Sequence, residues 1–121
     1  MGYSAFPLGS NTVANQWITI TISQTLVPGF GYFVDGAAQV TLLLPTVANE
    51  GDTYVVWDVG GHGFKITQNA AQQILCGAEL TTVGTGGSVT STSLGDKLYI
   101  VCDIANTDFA ANPQFGSFNV V

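Results

Sequence analysis

The sequence predicts an all-β fold, an antiparallel β-sandwich with a jelly-roll-like arrangement of strands. Apolar residues recur at every second position in several short segments, which is the periodicity of a half-buried strand. Clusters of Gly, Asn and Asp separate these segments at roughly 8 to 12 residues, a spacing typical of sandwiches and barrels. With 121 residues, the chain is predicted to form one β-domain over residues 15–121, preceded by an irregular arm over residues 1–14.

The strands are predicted wherever this alternation is clearest. In the first, Ile18, Ile20 and Ile22 share one face while threonines occupy the other. The strongest segments are 16–23, 40–44, 54–59, 98–102 and 115–121, and shorter ones are 32–34, 64–68, 73–76 and 89–93. Segments 40–44 and 98–102 are apolar on both faces, so we expect the second face to be covered from outside one small sandwich.

Glycine-rich segments lie between the predicted strands and indicate turns. Two of them also suggest chemistry: residues 60–63 (GGHG) could form an oxyanion hole, and residues 84–87 (GTGG) superficially resemble a phosphate-binding loop. The sequence contains no G-x-S-x-G motif to supply a nucleophile, and no Lys follows the second segment directly. Both segments are therefore interpreted as turns, and no catalytic residue is predicted.

Charge is the most unusual feature of the composition. Charged residues make up 8% of the chain, with two lysines, no arginine and a net charge of -6, against about 25% charged residues in an ordinary soluble domain. Such a surface repels nucleic acid, and the apolar runs are too short for a membrane-spanning helix, so neither nucleic-acid binding nor membrane insertion is expected.

Uncharged polar surfaces do little to keep molecules apart, so this composition favours self-association. Strands that are apolar on both faces and unpaired sheet edges would be covered in a symmetric homo-oligomer. The predicted subunit interface includes Trp17, Leu43, Tyr99 and Phe118.

The two cysteines, Cys76 and Cys102, lack the paired spacing of a zinc site. They are interpreted as small buried hydrophobic residues, with a disulfide between them as the alternative. No cofactor and no metal are predicted.

Two groups of carboxylates leave alternatives open. Glu50, Asp52 and Asp58 could act in glycoside hydrolysis, but solvated turn carboxylates are the preferred interpretation. The same three residues, or Asp103 and Asp108, could bind calcium, although the sequence has no D-x-D-x-D-G pattern.

Several motifs occur in a familiar order from Val40 to the last residue. They are VTLLLP, GFKITQNAAQQI, GTGGS, VCDIANTDF and a closing GSFNVV. This series resembles a β-domain of bacteriophage tail-fibre proteins that also occurs at the C-termini of bacterial collagen-like or fibrous adhesins. Phe64 and Phe109 stand where that family usually has tryptophan. The resemblance implies a homotrimeric β-sandwich outside a virion or cell, with a structural or attachment role and no enzymatic activity.

The function predicted on this basis is that of a non-enzymatic bacteriophage structural protein on the virion surface. It would act as a capsid decoration (cement) protein or a fibre tip, after assembly in the host cytoplasm. Its partners would be copies of itself and the major capsid protein or a tail or fibre protein. The first 15 residues contain no Lys or Arg, so no secretory signal peptide is expected.

Two alternatives remain for the function. One is a receptor- or glycan-binding adhesin domain that binds a host-surface glycan, and the other is a glycan-degrading enzyme. Contacts to a ligand or partner are predicted from loops at residues 60–64 and 110–114. The residues concerned are His62, Phe64, Asn112 and Gln114.

Overall fold

The structure, a computed structural model, describes residues 16–121, which form two β-sheets around one hydrophobic core. The arm predicted for residues 1–14 lies outside the described residues. Residues 16–121 contain no helix, so the all-β prediction is confirmed. The strands are β1 Gln16–Ile20, β2 Gln24–Thr25, β3 Phe30–Val34, β4 Val40–Leu43, β5 Thr53–Asp58, β6 Phe64–Thr67, β7 Gln73–Cys76, β8 Glu79–Leu80, β9 Ser88–Ser91, β10 Lys97–Ile104, β11 Asp108–Phe115 and β12 Phe118–Val120.

The larger sheet has seven strands in the order β1-β3-β5-β10-β11-β7-β8, and the smaller has five in the order β12-β9-β6-β4-β2. Both sheets are mixed. Strand pairs β1–β3, β3–β5, β7–β11, β2–β4 and β4–β6 are parallel, and the remaining pairs are antiparallel. The prediction of an antiparallel, jelly-roll-like sandwich is therefore wrong in strand direction, while the two-sheet architecture is consistent with a sandwich.

The parallel pairs follow from the path of the chain. Strands β1 to β6 alternate between the two sheets, so the chain crosses to the other sheet and returns before it forms the next strand of the same sheet. Each return restores the original direction, and strands two apart in sequence become parallel neighbours. Alternating hydrophobicity predicts which face of a strand is buried but carries no information on direction.

The core lies between the sheets and is built from alternate residues of each strand. The larger sheet contributes side chains such as Tyr54, Ile100 and Phe109, and the smaller contributes side chains such as Leu42 and Ile66. Burying one side chain of this kind stabilises the fold by roughly 1.5–3 kcal/mol. The predicted alternation of the 98–102 segment is confirmed, because Leu98, Ile100 and Cys102 all face the core.

The C-terminal region differs from the prediction. Residues 110–114, predicted as a loop, belong to β11, and the last strand begins only at Phe118. The sequence did not predict a strand here because Pro113 lies within it, and proline has no N–H group to donate to a neighbouring strand. Pro113 lies beyond Asp108–Ala111, the part of β11 that pairs with β7, so its missing donor leaves no gap in that ladder.

A buried amide network explains the QNAAQQ segment. The side-chain nitrogen of Gln68 donates to the carbonyls of Gln72, Thr82 and Gly84 at 2.8–3.0 Å, and its oxygen accepts from the Thr81 hydroxyl. Gln68, Gln72 and Thr81 are all buried. Since buried polar groups are costly unless paired, this network fixes the connections around β7 and β8 to the end of β6.

The same network accounts for the GTGG segment. A Cβ at Gly87 would come within 2.2 Å of the Thr82 carbonyl and 2.5 Å of the Gln68 side-chain nitrogen. Gly84 has a φ of 96°, a conformation that favours glycine. The segment is a turn, as predicted, and its glycines allow the backbone to approach the Gln68 amide.

Candidate interaction face

The side of the seven-stranded sheet that points away from the core carries most of the features with chemical potential, and we call it the outer face. Register places its side chains in cross-strand rows. One row runs Trp17, Gly31, Val55, Tyr99, Asn112, the next runs Thr19, Phe33, Trp57, Lys97, Phe115, and a third runs Thr53, Val101, Ala110, Leu75, Leu80. Most members of these rows are apolar or aromatic, although nothing in residues 16–121 forms a second layer over them.

Three rings, Trp17, Phe33 and Trp57, form what we call the aromatic cluster. Trp17 stacks on Phe33 with centroids 4.7 Å apart and planes 27° from parallel. Trp57 meets both rings at 6.0–6.3 Å in tilted and edge-on arrangements. These distances lie in the favourable range for aromatic pairs, each worth about 0.5–1.5 kcal/mol beyond area burial.

The aromatic cluster covers part of the sheet itself. Val55 is 0% exposed, yet it does not belong to the core cluster between the sheets. It lies beside Gly31 on the outer face, and the Trp17 indole lies against the Gly31 backbone, where a Cβ would come within 2.4 Å of the ring. Trp17 nevertheless remains 38% exposed, so the cluster shields the sheet and presents an apolar surface to solvent.

Lys97 places a cation at this end of the outer face. Its ammonium lies 4.5 Å from the Trp57 ring centroid and 5.7 Å from that of Trp17, which are cation–π distances. The chain has one other lysine, Lys65, and that residue belongs to β6 in the other sheet.

An acidic groove lies at the opposite end of the outer face. It has a volume of about 160 Å³. Its lining residues are Gln73, Leu75, Leu80, Asp103, Asp108, Phe109 and Ala110. Lys97 begins β10 and Asp103 lies near its end, so roughly 20 Å separate them at about 3.3 Å per residue. The outer face therefore has a cationic end and an anionic end with apolar surface between them.

The outward side of the five-stranded sheet differs in character. Its cross-strand row is Thr41, Lys65, Thr90, Asn119, and the neighbouring row is Thr25, Leu43, Thr67, Ser88. Leu43 is thus an isolated apolar residue in a polar surface, which needs no cover. The two outward sides of the sandwich are chemically distinct, and only that of the larger sheet is suited to bury aromatic area.

The residues predicted for the interface fall in three places. Trp17 and Tyr99 share the outer face, as that prediction requires, whereas Leu43 lies on the polar side of the other sheet. Phe118 is half-buried and packs on the core, with its ring 6.0 Å from that of Phe64. The structure therefore brings two of the four together on one surface.

The residues predicted to contact a ligand are also separated. Asn112 lies opposite Tyr99 on the outer face, and Gln114 is exposed at the shift in register between β10 and β11. His62 is exposed in the β5–β6 loop. Phe64 is 0% exposed in the core, so the prediction of a ligand contact for this residue is wrong: its position on β6 turns the ring inward.

The GGHG segment is a turn, held by a carboxylate. The backbone N–H of Gly61 donates to a side-chain oxygen of Asp58 at 2.9 Å, and Gly61 and Gly63 have φ values of 89° and 82°. Asp52 has a similar role, accepting from the Asn49 N–H at 2.9 Å. These two carboxylates serve as acceptors for turns at opposite ends of β5, as expected for turn carboxylates, but Asp58 is buried, so the prediction of a solvated side chain is wrong for this residue.

Asp96 is a buried carboxylate that the sequence did not single out. One oxygen accepts from the backbone N–H groups of Thr92 and Ser93 at 2.7–3.0 Å, and the side chain is 0% exposed. A Cβ at Gly116 would come within 1.8 Å of its other oxygen. Asp96 thus organises the turn that comes directly before β10.

The two cysteines are free thiols, and both are buried. Cys102 on β10 and Cys76 on β7 are separated by the intervening strand β11. Two strand spacings of about 4.8 Å exceed the range of a disulfide. Burial raises the pKa of both thiols, so they remain protonated and unreactive at neutral pH.

Sequence reasoning missed Phe33, Lys97 and the groove residues Leu75 and Leu80 as parts of one surface. The signal for the first two was present, because odd-numbered residues of β3, β5 and β10 alternate with core residues. Leu80 carried no signal, since β8 has two residues.

Residues 16–121 contain no group of three or more His, Cys, Asp or Glu side chains arranged to hold a metal ion. In the same range no helix is long and apolar enough to cross a membrane. No model of a known protein family matches the chain, and neither does any curated protein.

Proposed function

We propose that this protein is a non-enzymatic structural component of a bacteriophage virion, a homotrimer displayed on the particle surface as a capsid decoration protein or a fibre tip. The observation that carries the proposal is the outer face. A sheet surface that residues 16–121 leave uncovered, with Trp17 38% exposed and the rings of Phe33 and Trp57 half-buried beside it, is an association surface by its chemistry.

The charge distribution supports the same proposal. Of the few charges on the chain, Asp58 and Asp96 are buried in turns, and the central rows of the outer face carry Lys97 alone between their apolar residues. The core of a stable protein interface is depleted of charge and enriched in aromatic residues.

The motif order adds the viral context. The QNAAQQI, GTGGS and VCDIANTDF segments, which resemble the fibre and adhesin β-domain, all have structural roles in this fold. They build the Gln68 network, the turn at Gly84–Gly87 and the pair β10–β11. Segments that specify a scaffold support a structural role, with copies of the chain and a capsid, tail or fibre protein as partners.

The subunit number is the first test. Sedimentation velocity on the full chain at micromolar concentration is expected to give three times the mass of one subunit. A compact monomer under those conditions would overturn the proposal. Immunogold electron microscopy of virions purified from a lysate that contains the protein is the second test. Label on the capsid or at fibre ends is expected, and unlabelled virions would remove the viral assignment.

A glycan-binding adhesin domain is the second candidate, favoured by the exposed Trp17 ring of the aromatic cluster. Sugar rings present apolar faces that stack on indole and phenyl groups, and Asn112 provides an amide nearby on the same face. Binding to a glycan array or to host cells would support this candidate. A capsid decoration protein is expected to bind empty capsids and to bind neither the glycan array nor the host cells.

A further inference from the structure

We infer that copies of this chain associate through the outer face in a head-to-tail manner, with Lys97 of one copy placed at the acidic groove of the next. The inference rests on the self-assembly proposed above and names the contact that would hold it. The occupant of the groove is thus a lysine side chain from a second copy.

The first argument is charge. Lys97 lies at one end of the outer face, and Asp103 and Asp108 lie at the other end. Within residues 16–121 the Lys97 ammonium contacts the Trp57 and Trp17 rings and has no ion pair. Neither Asp103 nor Asp108 has a side-chain hydrogen bond in that range. A cation and two carboxylates without ionic partners on one apolar surface are complementary between copies.

The second argument is the chemistry of the groove. Its walls include Leu75, Leu80 and Ala110, while Gln73 and the two carboxylates supply oxygen acceptors. A lysine side chain matches these two parts of the groove, because it has an apolar stem and a charged end. A cavity of roughly 15 Å³ holds one water, so a groove of about 160 Å³ has room for the end of a long side chain.

The third argument is symmetry. In a cyclic assembly every copy presents one end of its face to the next copy and the opposite end to the previous one. A surface with a cationic end and an anionic end satisfies both contacts at once. Stacking two outer faces about a two-fold axis opposes Lys97 to Lys97 when the strands run parallel. When they run antiparallel each Lys97 meets a groove, but that arrangement closes at two copies and not at three.

Charge reversal tests this contact in the full chain. Lys97→Glu alone and the pair Asp103→Lys, Asp108→Lys are each expected to weaken subunit association by about tenfold or more, measured by sedimentation velocity over a range of concentrations. The combination of all three substitutions restores complementarity between copies and is expected to restore association. Lys65→Glu is the matched control, because it changes net charge as Lys97→Glu does but lies on the other sheet.

Circular dichroism and thermal unfolding of each variant show whether the subunit still folds. Since Lys97→Glu also removes the cation–π contact with Trp57, Asp103→Asn with Asp108→Asn provides a second route that leaves the aromatic cluster intact and is expected to weaken association too. The inference would be overturned if the variants changed at only one end of the outer face folded and associated as the wild type does, or if the combined variant failed to recover association. In either case, a wild-type protein that is trimeric would still support the proposed function. A charge-dependent dimer would overturn both the head-to-tail arrangement and the trimer, because a closed dimer pairs its copies about a two-fold axis, and a monomeric wild type would overturn the inference and the proposed function alike.

Discussion

The indole ring of Trp17 lies directly on the backbone of Gly31, so close that a Cβ at residue 31 would come within 2.4–2.5 Å of three ring atoms. Gly31→Ala is therefore expected to displace the ring and to disturb its stacking on Phe33. Forcing a methyl group into a packed contact of this kind costs roughly 1–3 kcal/mol. Tryptophan fluorescence is expected to shift to longer wavelength, and the free energy of unfolding, measured in urea at fixed protein concentration, is expected to fall.

Gly86→Ala is the matched control for Gly31→Ala, because a Cβ at Gly86 meets no atom within 4 Å and its φ is not positive. This variant is expected to keep the wild-type fluorescence and to change stability by less than about 0.5 kcal/mol. Equal behaviour of the two variants would show that Trp17 does not depend on Gly31.

Two buried tyrosines are expected to respond oppositely to loss of the hydroxyl. The hydroxyl of Tyr32 accepts from the Val27 N–H at 2.7 Å, whereas the buried hydroxyl of Tyr54 has no hydrogen-bond partner among the described residues. Tyr32→Phe is expected to destabilise the fold by about 1–2 kcal/mol because it orphans an N–H group. Tyr54→Phe is expected to be neutral or stabilising by up to about 1 kcal/mol. Urea unfolding of both variants, compared with wild type, tests the difference, and equal losses would contradict it.

Stability is expected to fall at alkaline pH. Burial raises the pKa of Cys76 and Cys102 above 9.0 and that of Tyr32 above 10.0. Burial raises the pKa of Tyr54 further, with a smaller contribution from the Asp52 charge. The unfolded chain then releases protons that the folded chain retains, so the stabilisation is complete below about pH 9 and is lost as pH rises, first through the cysteines and then through the tyrosines.

Each retained proton contributes a slope of up to about 1.4 kcal/mol per pH unit. Urea unfolding at about pH 8, 9, 10 and 11 measures the loss, and Tyr54→Phe is expected to reduce it above about pH 10. Stability that stayed constant across this range would contradict the assignment of these groups to the interior.

The thiols are expected to be inaccessible in the folded protein. Cys76 and Cys102 are buried and free, and burial raises the pKa of both, so little thiolate is available for reaction. The thiol reagent 5,5′-dithiobis(2-nitrobenzoic acid) is expected to titrate both thiols in guanidinium chloride and to react slowly under native conditions. Rapid native labelling, or a disulfide found by mass spectrometry of the untreated chain, would contradict this arrangement.

The strands could be predicted from the sequence to the extent that burial alone defines them. Residues 73–76 were predicted as a strand and form β7, since Ile74 and Cys76 alternate with more exposed positions. Strand direction could not be predicted. Strands β1, β3 and β5 of one sheet, and β2, β4 and β6 of the other, become parallel neighbours because the chain crosses between the layers, and such crossings leave no periodic pattern in the sequence. The short strands β2 and β8 have two residues each, which is too few for a pattern.

The candidate site was predictable only where a residue could be assigned to a face. Trp17 and Tyr99 were predicted for an interface and do share the outer face. The acidic groove could not be foreseen as a unit, because Asp103 and Asp108 come from β10 and β11 whereas Leu75 belongs to β7. Strand β7 reaches them through a parallel pairing with β11, and that pairing was not expected.

The Gln68 network provides the sharpest test of what holds the connections around β7 and β8. Gln68→Met keeps the length of the side chain but removes the donor shared by three backbone carbonyls and the acceptor for the Thr81 hydroxyl. Because these groups are buried and lose their partner together, the free energy of unfolding in urea is expected to fall by about 3 kcal/mol or more. Gln24→Met serves as the control, since the Gln24 amide makes one exposed hydrogen bond to the Ile22 carbonyl, and a change below about 0.5 kcal/mol is expected there. If the two substitutions destabilise the protein equally, the amide of Gln68 does not organise these loops and their order must come from apolar packing alone.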